Sequence, residues 1–416
     1  MNPRFTERLS FCSASAIGLA VSRGNPLGLV AAAGMPIMCL MARSRRCAFA
    51  NALAYYAAGL WPMIPAACHF APIPAAVLMW AVSAVMLATP WPLAWTPERG
   101  FHSIWRLLLA QIAGILPPLG VIGFISPLTG AGYLFPGTGW AGLAATALLP
   151  GVVIRTPRSA LLAVFALGLG SHLIHPADVR PPAGWEAVNT NFGDTSNLYQ
   201  QFVAAHSIQE RAAASSARVL IFPEAVIPRW SDATTEFLQQ TLTACRERGQ
   251  ILAIGAGLAR KPAIDADAVK SYDFNAAIQA LRSDDGQSPP ESAQIEMHTE
   301  PFENTLLVLG AESSTFYQRV PVPIGMWQPF DKSGVPLHLN APATVGIDGQ
   351  RVAVLICYEQ ILTYPILTAM LEHPTLLVGI SNTYWIVGTP IPRYQRSALR
   401  AWARLFRLPY LLAVNS

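Results

Sequence analysis

From about residue 9 to 175 the chain is a succession of apolar runs separated by short loops, and no other feature limits its fold so strongly. The runs cover about 9–22, 25–42, 47–68, 71–89, 107–126, 138–154 and 159–175, roughly 14 to 22 residues each. A helix needs ~20 apolar residues to cross a ~30 Å hydrocarbon core. Seven transmembrane spans is the resulting expectation, with six or eight open because the first run is short. No cleavable signal peptide is expected, since no small-residue cleavage site follows that run.

The charges give this half an orientation. Residues 1–176 hold ten arginines, two acids (Glu7 and Glu98) and no lysine, whereas the rest of the chain has 18 basic and 22 acidic residues. Arg4 and Arg8, then Arg43, Arg45 and Arg46, then Arg99 and Arg106, then Arg155 and Arg158 fall in every second loop; Arg23 alone falls on the other side. Basic loops stay cytoplasmic. An odd number of spans then delivers everything after about residue 176 outside the cytoplasm, to the periplasm if the membrane is a bacterial inner membrane. With 52% hydrophobic and 12% charged residues the whole chain reads as a membrane protein, soluble domains carrying about 25% charge. Nucleic-acid binding is not expected, because the basic excess lies in separate loops and not in one patch.

The six cysteines (12, 39, 47, 68, 245 and 357) form no CxxC pair and no ladder, so neither a disulfide framework nor a cysteine metal site is indicated. His172 and His175 share a helix face without a third ligand nearby, and no metal or cofactor is expected.

From Trp185 onward short strands alternate with amphipathic helices. Strands are expected at 185–190, 218–222, 250–255, 304–309, 351–356, 375–380 and 410–414, and helices at 196–215, 232–248, 362–372 and 393–407. This order predicts a layered α/β domain over residues 180–416, with reactive groups at the C-terminal ends of strands. Two candidates stand there: Glu224 in "RVLIFPEAVIP" and Cys357 in "RVAVLICYEQ". Either residue alone reads equally as a loop acid or a small core residue. A thiol becomes a nucleophile only where a base takes its proton or a cation lowers its pKa.

The segments "FPEAVIP", "YQRVPVPIGMWQPF", "VLICYEQ" and "GISNTYWI" resemble, in order and spacing, the motifs of the carbon-nitrogen hydrolase (nitrilase) superfamily. The helices ahead of them are similar to those of its membrane-bound branch, which includes apolipoprotein N-acyltransferase and conjugal-transfer proteins. The resemblance implies an α-helical transmembrane bundle followed by an αββα sandwich. It also implies a Glu-Lys-Cys triad in which Glu is the base, Cys attacks a carbonyl and Lys supports the oxyanion. On this chain Glu224 matches the base, Cys357 the nucleophile and Glu359 the acid that follows it, with Tyr358, Asn382 and Trp385 lining the pocket.

Three departures stand out. Counting from Tyr317 places Arg319 where the family has lysine, so the expected triad is Glu224, Arg319 and Cys357; the chain's lysines are at 261, 270 and 332. Arginine keeps the charge but has a larger, fixed fork, and losing an oxyanion donor costs ~3 kcal/mol. Met326 replaces a glutamate usual in the acyltransferases. The sequence stops at "AVNS", ahead of the last strands of a complete domain of this kind, which would leave an apolar sheet edge uncovered. Two functions from different classes fit these residues. One is an amide or ester hydrolase, or N-acyltransferase, working through a cysteine thioester on a membrane lipid or membrane-near acyl or amide substrate. The other is an inactive scaffold binding conjugal transfer proteins.

Overall fold

The computed structural model describes residues 3–97, 101–195, 198–260, 302–328 and 334–416. Arg99 and Lys261, Lys270 and Lys332 lie outside the described residues. Each apolar run of the first 176 residues is helical, but several are interrupted. The run at 25–42 splits into Pro26–Ala31 and Gly34–Leu40, and that at 47–68 into Arg45–Gly59 and Met63–Ala67. Proline accounts for both breaks, because Pro36 and Pro62 lack the N–H that a continuous helix needs.

Among the described residues, two helical stretches are long and apolar enough to cross a membrane by length and composition, Ile73–Ala94 and Pro157–Ile174. Pro26–Leu40, Ser103–Ile115 and Gly139–Arg155 are shorter apolar helices. At 1.5 Å per residue the 15-residue helix Arg45–Gly59 covers only ~22 Å. In place of the expected row of about seven spans, the described residues form a packed set of helices, several of them short. Their inward side chains, such as Ala14, Leu29, Tyr55 and Leu107, share one cluster. Outward, Leu78, Leu109, Leu162, Phe165 and Leu173 are exposed.

Among its described residues the second part contains ten strands. β1 (Trp185–Ala187), β2 (Val219–Ile221), β3 (Ile227–Trp230), β4 (Ile251–Ala259), β5 (Phe302–Gly310) and β6 (Ser314–Tyr317) form one sheet, in the order β1-β2-β4-β5-β6 with β3 also on β4. β7 (Thr344–Ile347), β8 (Gln350–Ile356), β9 (Leu376–Asn382) and β10 (Tyr410–Asn415) form the other, in the order β10-β9-β8-β7. β3, β6 and β7 were not expected from sequence: each has four residues and little apolar alternation.

The pleat decides which layer each strand residue joins. On β8, Val352, Val354 and Ile356 pack between the sheets with Val219, Ile221 and Val308. Ala353 and Leu355 face outward, against helices Thr363–Leu371 and Ile391–Phe406. The outer face of the first sheet is covered by Leu198–Ala214 and Asp232–Arg248, which completes an α-β-β-α sandwich. The free edge of β10 is not bare as the sequence suggested. Residues 189–193 lie along it: Thr190 N–H donates to Val414 O at 2.9 Å, and Asn415 Oδ1 accepts from Thr190 Oγ1 and Phe192 N.

The two parts share a core. Val320, Ile361, Leu362, Tyr394 and Ala398 belong to the same buried cluster as the N-terminal helices. Hydrogen bonds joining the parts run from Ile125 N to Tyr394 Oη (3.1 Å), Tyr133 Oη to Ser397 O (3.1 Å), Tyr358 Oη to Val121 O (3.3 Å) and Gly137 N to Arg404 O (2.8 Å).

Candidate active site

Glu224 and Cys357 lie at the ends of strands from opposite sheets. β2 runs out through Phe222 and Pro223 to Glu224, and Ala225 takes a left-handed φ of +47°. That turn lies directly against β4, where a Cβ on Gly255 would meet Pro223 O at 2.1 Å and Glu224 Cα at 2.6 Å. Cys357 is the first residue beyond β8 and also has a left-handed φ, +50°. Such a φ costs a non-glycine residue ~1–2 kcal/mol and persists where the surroundings hold it. Here three side chains grip the peptides around it. Gln395 Nε2 donates to Cys357 O (3.1 Å), Gln318 Nε2 donates to Ile356 O (3.1 Å), and Ile356 N donates to Glu359 Oε2 (2.8 Å).

The Cys357 thiol and the Glu224 carboxyl lie close enough to act on one another's protonation. Glu224 Oε1 also accepts from Asn304 Nδ2 (2.8 Å), and Oε2 from Asn382 N (2.9 Å). Burial pushes the Glu224 carboxyl above its usual range, and the hydrogen bonds from Cys357, Asn382 and Asn304 only partly oppose this. The Cys357 thiol is raised well above its usual value by burial and then by the Glu224 charge; Asn382 N–H and the Gln395 amide act in the other direction. Among the described residues no basic side chain enters either balance. A standing thiolate is therefore disfavoured, and the arrangement suits proton transfer to Glu224 as the sulfur attacks.

Arg319 is not brought to this site. Its guanidinium points to the helix Thr363–Leu371, with Nη1 donating to Thr368 Oγ1 (2.8 Å), Nη2 to Pro365 O (2.9 Å), and Nε 3.7 Å from Glu359 Oε1. The side chain beside Glu224 and Cys357 is Gln318, whose Oε1 accepts from the same Asn304 amide (2.9 Å). Past β6 the pleat continues: Phe316 and Gln318 turn inward, whereas Tyr317 is exposed. Gln318 thus braces Asn304 and the Ile356 peptide with a neutral amide.

Glu359 likewise supports the turn from behind. It accepts from Arg319 N (2.8 Å), Val320 N (3.0 Å) and Ile356 N (2.8 Å). Tyr358 points toward the N-terminal helices and lines a cavity there. Asn382 contributes its backbone N–H, while its side-chain Oδ1 accepts from Asn415 Nδ2 (3.0 Å). Trp385 is fixed by Nε1 donating to Asn382 O (3.0 Å) and stands edge-on to His69 and Phe70. His172 Nε2 is 2.8 Å from Tyr133 O. Among the described residues no group of three or more His, Cys, Asp or Glu could hold a metal.

Sequence reading missed Asn304, Gln318 and Gln395. Gln395 had a signal: it is the polar member of an otherwise apolar helix face, Ile391, Tyr394, Ala398, Leu399, Trp402 and Leu405.

Two cavities meet at the sulfur. One, of about 260 Å³, is apolar and runs between the helices and the sandwich past Met63, Phe70, Val82, Met86, Phe124 and Ile361 to Cys357. The other, of about 280 Å³, carries the polar groups and is lined by Glu224, Asn382, His69, Met326, Tyr384 and Trp385 as well as Cys357.

The α-β-β-α sandwich brings a buried Glu and a Cys together at the ends of strands from its two sheets. Residues 181–415 match the family described as Carbon-nitrogen hydrolase, and the chain belongs to that family. It is similar to a probable conjugal transfer protein TraB of Sinorhizobium fredii, 29% identical over 424 residues and covering 98% of each chain. It is also similar to the conjugal transfer protein TraB of Agrobacterium fabrum, 31% identical over 327 residues, 75% of this chain and 66% of that one. Among solved structures it resembles a double mutant of the amidase from Nesterenkonia sp. AN1, with TM-score 0.33 and 13% identity over 57% of this chain and 79% of that one. The C. elegans NitFhit protein gives TM-score 0.34 and 15% identity over 56% and 50%.

Proposed function

We propose that this carbon-nitrogen hydrolase family member serves conjugal transfer from the bacterial inner membrane. In this reading residues 1–176 are embedded in the bilayer, residues 180–416 lie on its periplasmic face, and Cys357 receives an acyl group from a substrate with an apolar chain. The observation that carries the reading is that two cavities meet at Cys357, one almost wholly apolar and one bearing Glu224 and Asn382. The first suits a hydrocarbon chain, and the second the carbonyl and its leaving group.

The chemistry follows from the contacts. Sγ attacks the carbonyl carbon of an amide or ester while its proton passes to Glu224. The tetrahedral intermediate collapses to a thioester, and Glu224 returns the proton to the departing amine or alcohol. Water or an amine then attacks the thioester, Glu224 again moves the proton, and the thiol is restored. Gln318 and Gln395 supply neutral amides around the site, which stabilise an oxyanion less than a cation would.

The orientation is supported by where the parts join. Of the residues of the first part that bond the sandwich, Gly24, Tyr133 and Gly137 fall in the loops that arginine placement assigns to the outer side, and Val121 and Ile125 lie toward the same end of the run at 107–126. Outward apolar side chains on the helices support immersion in lipid. Reporter fusions within 43–46 and after residue 311 should report opposite sides of the membrane; the same side for both overturns the orientation.

Treatment of the full chain with an activated acyl ester should leave one acyl group on Cys357, seen as a mass increase that Cys357→Ala and Glu224→Gln both lose. Failure of the wild type to label, with normal transfer supported by Cys357→Ala, would favour a second reading. That reading is a scaffold that binds transfer proteins, and the engagement of the Arg319 guanidinium with the helix Thr363–Leu371, away from Glu224 and Cys357, specifically supports it.

A further inference from the structure

The helix Ile391–Phe406 has a second face that the acyl chemistry does not use. Arg393, Arg396, Arg400 and Arg404, with Arg407 just beyond the helix end, follow one another at intervals of three or four residues and form a single stripe. Fourteen residues at 1.5 Å make it ~21 Å long. One acid answers it. Asp178 accepts from Arg400 Nε (2.7 Å) and Arg404 Nη1 (3.2 Å). Arg393, Arg396 and Arg407 are exposed and have no acidic partner among the described residues. Arg404 Nε is buried without a hydrogen-bond partner, while its guanidinium carbon stands 5.9 Å from the Tyr133 ring centre.

The helix is also placed in a particular way. From its start to its end it touches Gly24 (at Arg393 and Tyr394), Tyr133 (at Ser397), Gly137 (at Arg404) and Asp178. All of these are loops at one end of the N-terminal helices, so its axis runs across the bundle end. Beneath the stripe's C-terminal half a cavity of about 300 Å³ is lined by Ile174, His175, Asp178, Arg404, Arg407 and Tyr410. It opens where the exposed apolar helix Pro157–Ile174 terminates.

We propose that this stripe and cavity bind the phosphate groups of anionic phospholipids in the outer leaflet. The inference rests on the membrane-embedded reading above. A cationic ridge lying across the ends of apolar helices stands at headgroup height, where phosphates are concentrated and arginine forks match them. The cavity takes one headgroup between Arg404 and Arg407, and the rest of the stripe meets the neighbouring ones. This fixes the sandwich flat on the bilayer, with the mouth of the apolar cavity toward the lipid.

The test uses the full chain in nanodiscs of equal phosphatidylglycerol and phosphatidylcholine, with lipids retained on release counted by native mass spectrometry. Wild type should retain phosphatidylglycerol over phosphatidylcholine at least ~tenfold, since each arginine at an anionic surface contributes about fivefold. The triple variant Arg393→Gln/Arg396→Gln/Arg407→Gln, which leaves the Asp178 pair intact, should fall to within ~twofold of the bulk ratio while its thermal midpoint is unchanged. Equal retention of both lipids by wild type overturns the proposal, as does displacement of the lipid by inorganic phosphate or by a short single-stranded DNA at matched concentration. Carbonate washing separates the two readings: a chain that stays embedded but shows no lipid preference sinks this inference alone. A chain that washes off sinks the embedded reading as well.

Discussion

Two glutamates are buried within the sandwich on either side of the Cys357 turn, and their surroundings differ in one respect. Glu359 has a cation: Arg319 lies 3.7 Å away and three backbone N–H groups point at its oxygens. Burial pushes its carboxyl up, and Arg319 with those N–H groups opposes the shift. Glu224 has neutral donors only, the Asn304 amide, the Asn382 N–H and the Cys357 thiol. The positive charge that sequence assigned to the reacting pair is spent on holding the turn. What remains at the sulfur is a carboxylate short of compensation, which favours taking a proton.

Breaking the supporting pair should give the largest effect. Arg319→Ala leaves Glu359 buried without its cation and should destabilise the chain by ~3–5 kcal/mol, seen as a lower thermal midpoint in detergent and lower abundance. Normal stability with selective loss of Cys357 acylation would return Arg319 to the site and erase the contrast.

Glu224→Gln removes the base and should slow acylation of Cys357 by ~10²-fold or more. Its stability effect has the opposite sign. The folded-state pKa of Glu224 is raised, so its stabilising contribution is complete below the unfolded pKa and is lost as pH rises through the folded value. At neutral pH the glutamine variant should therefore melt at or above wild type, with the gap closing under acid. In the wild type, acylation should rise with pH along a limb displaced above the ordinary carboxylate range. A limb at the ordinary value, with the variant less stable at every pH, would mean that the neutral donors around Glu224 fully offset its burial.

Gln318→Lys restores a cation opposite Cys357 and should raise acylation by about tenfold; Arg319→Lys should not. The reverse result would show that the side chains exchange positions in solution. The smallest expected change is Tyr358→Phe, which removes the 3.3 Å hydrogen bond to Val121 O. At ~0.5–1.5 kcal/mol it should lower the thermal midpoint slightly and leave acylation intact.

Much of this was legible in the chain itself. Apolar runs with arginines in alternate loops dictate helices and their order, because the backbone of an apolar segment must bond internally wherever water is absent. The unbroken apolar run in "RVAVLI" fits a strand buried on both faces, and "FPE" and "CYE" mark where two such strands stop. Proline inside the runs also explains why few helices reach full span length, though the breaks at Pro36 and Pro62 were read as continuous apolar sequence. Beyond this, local pattern has no say. Whether Gln318 or Arg319 faces the thiol depends on how the pleat continues past Tyr317, and on a helix from residues 363–371 arriving to receive the guanidinium. Glu224 meets Asn304 and Asn382 across 80 and 158 residues of chain, and no short-range periodicity encodes a contact of that separation. Sequence determined the helices, seven of the ten described strands and the two candidate residues at the strand ends. The packing of two sheets and a helix determined which buried carboxylate kept the positive charge, since a desolvated cation goes where the most acceptors are already fixed to receive it.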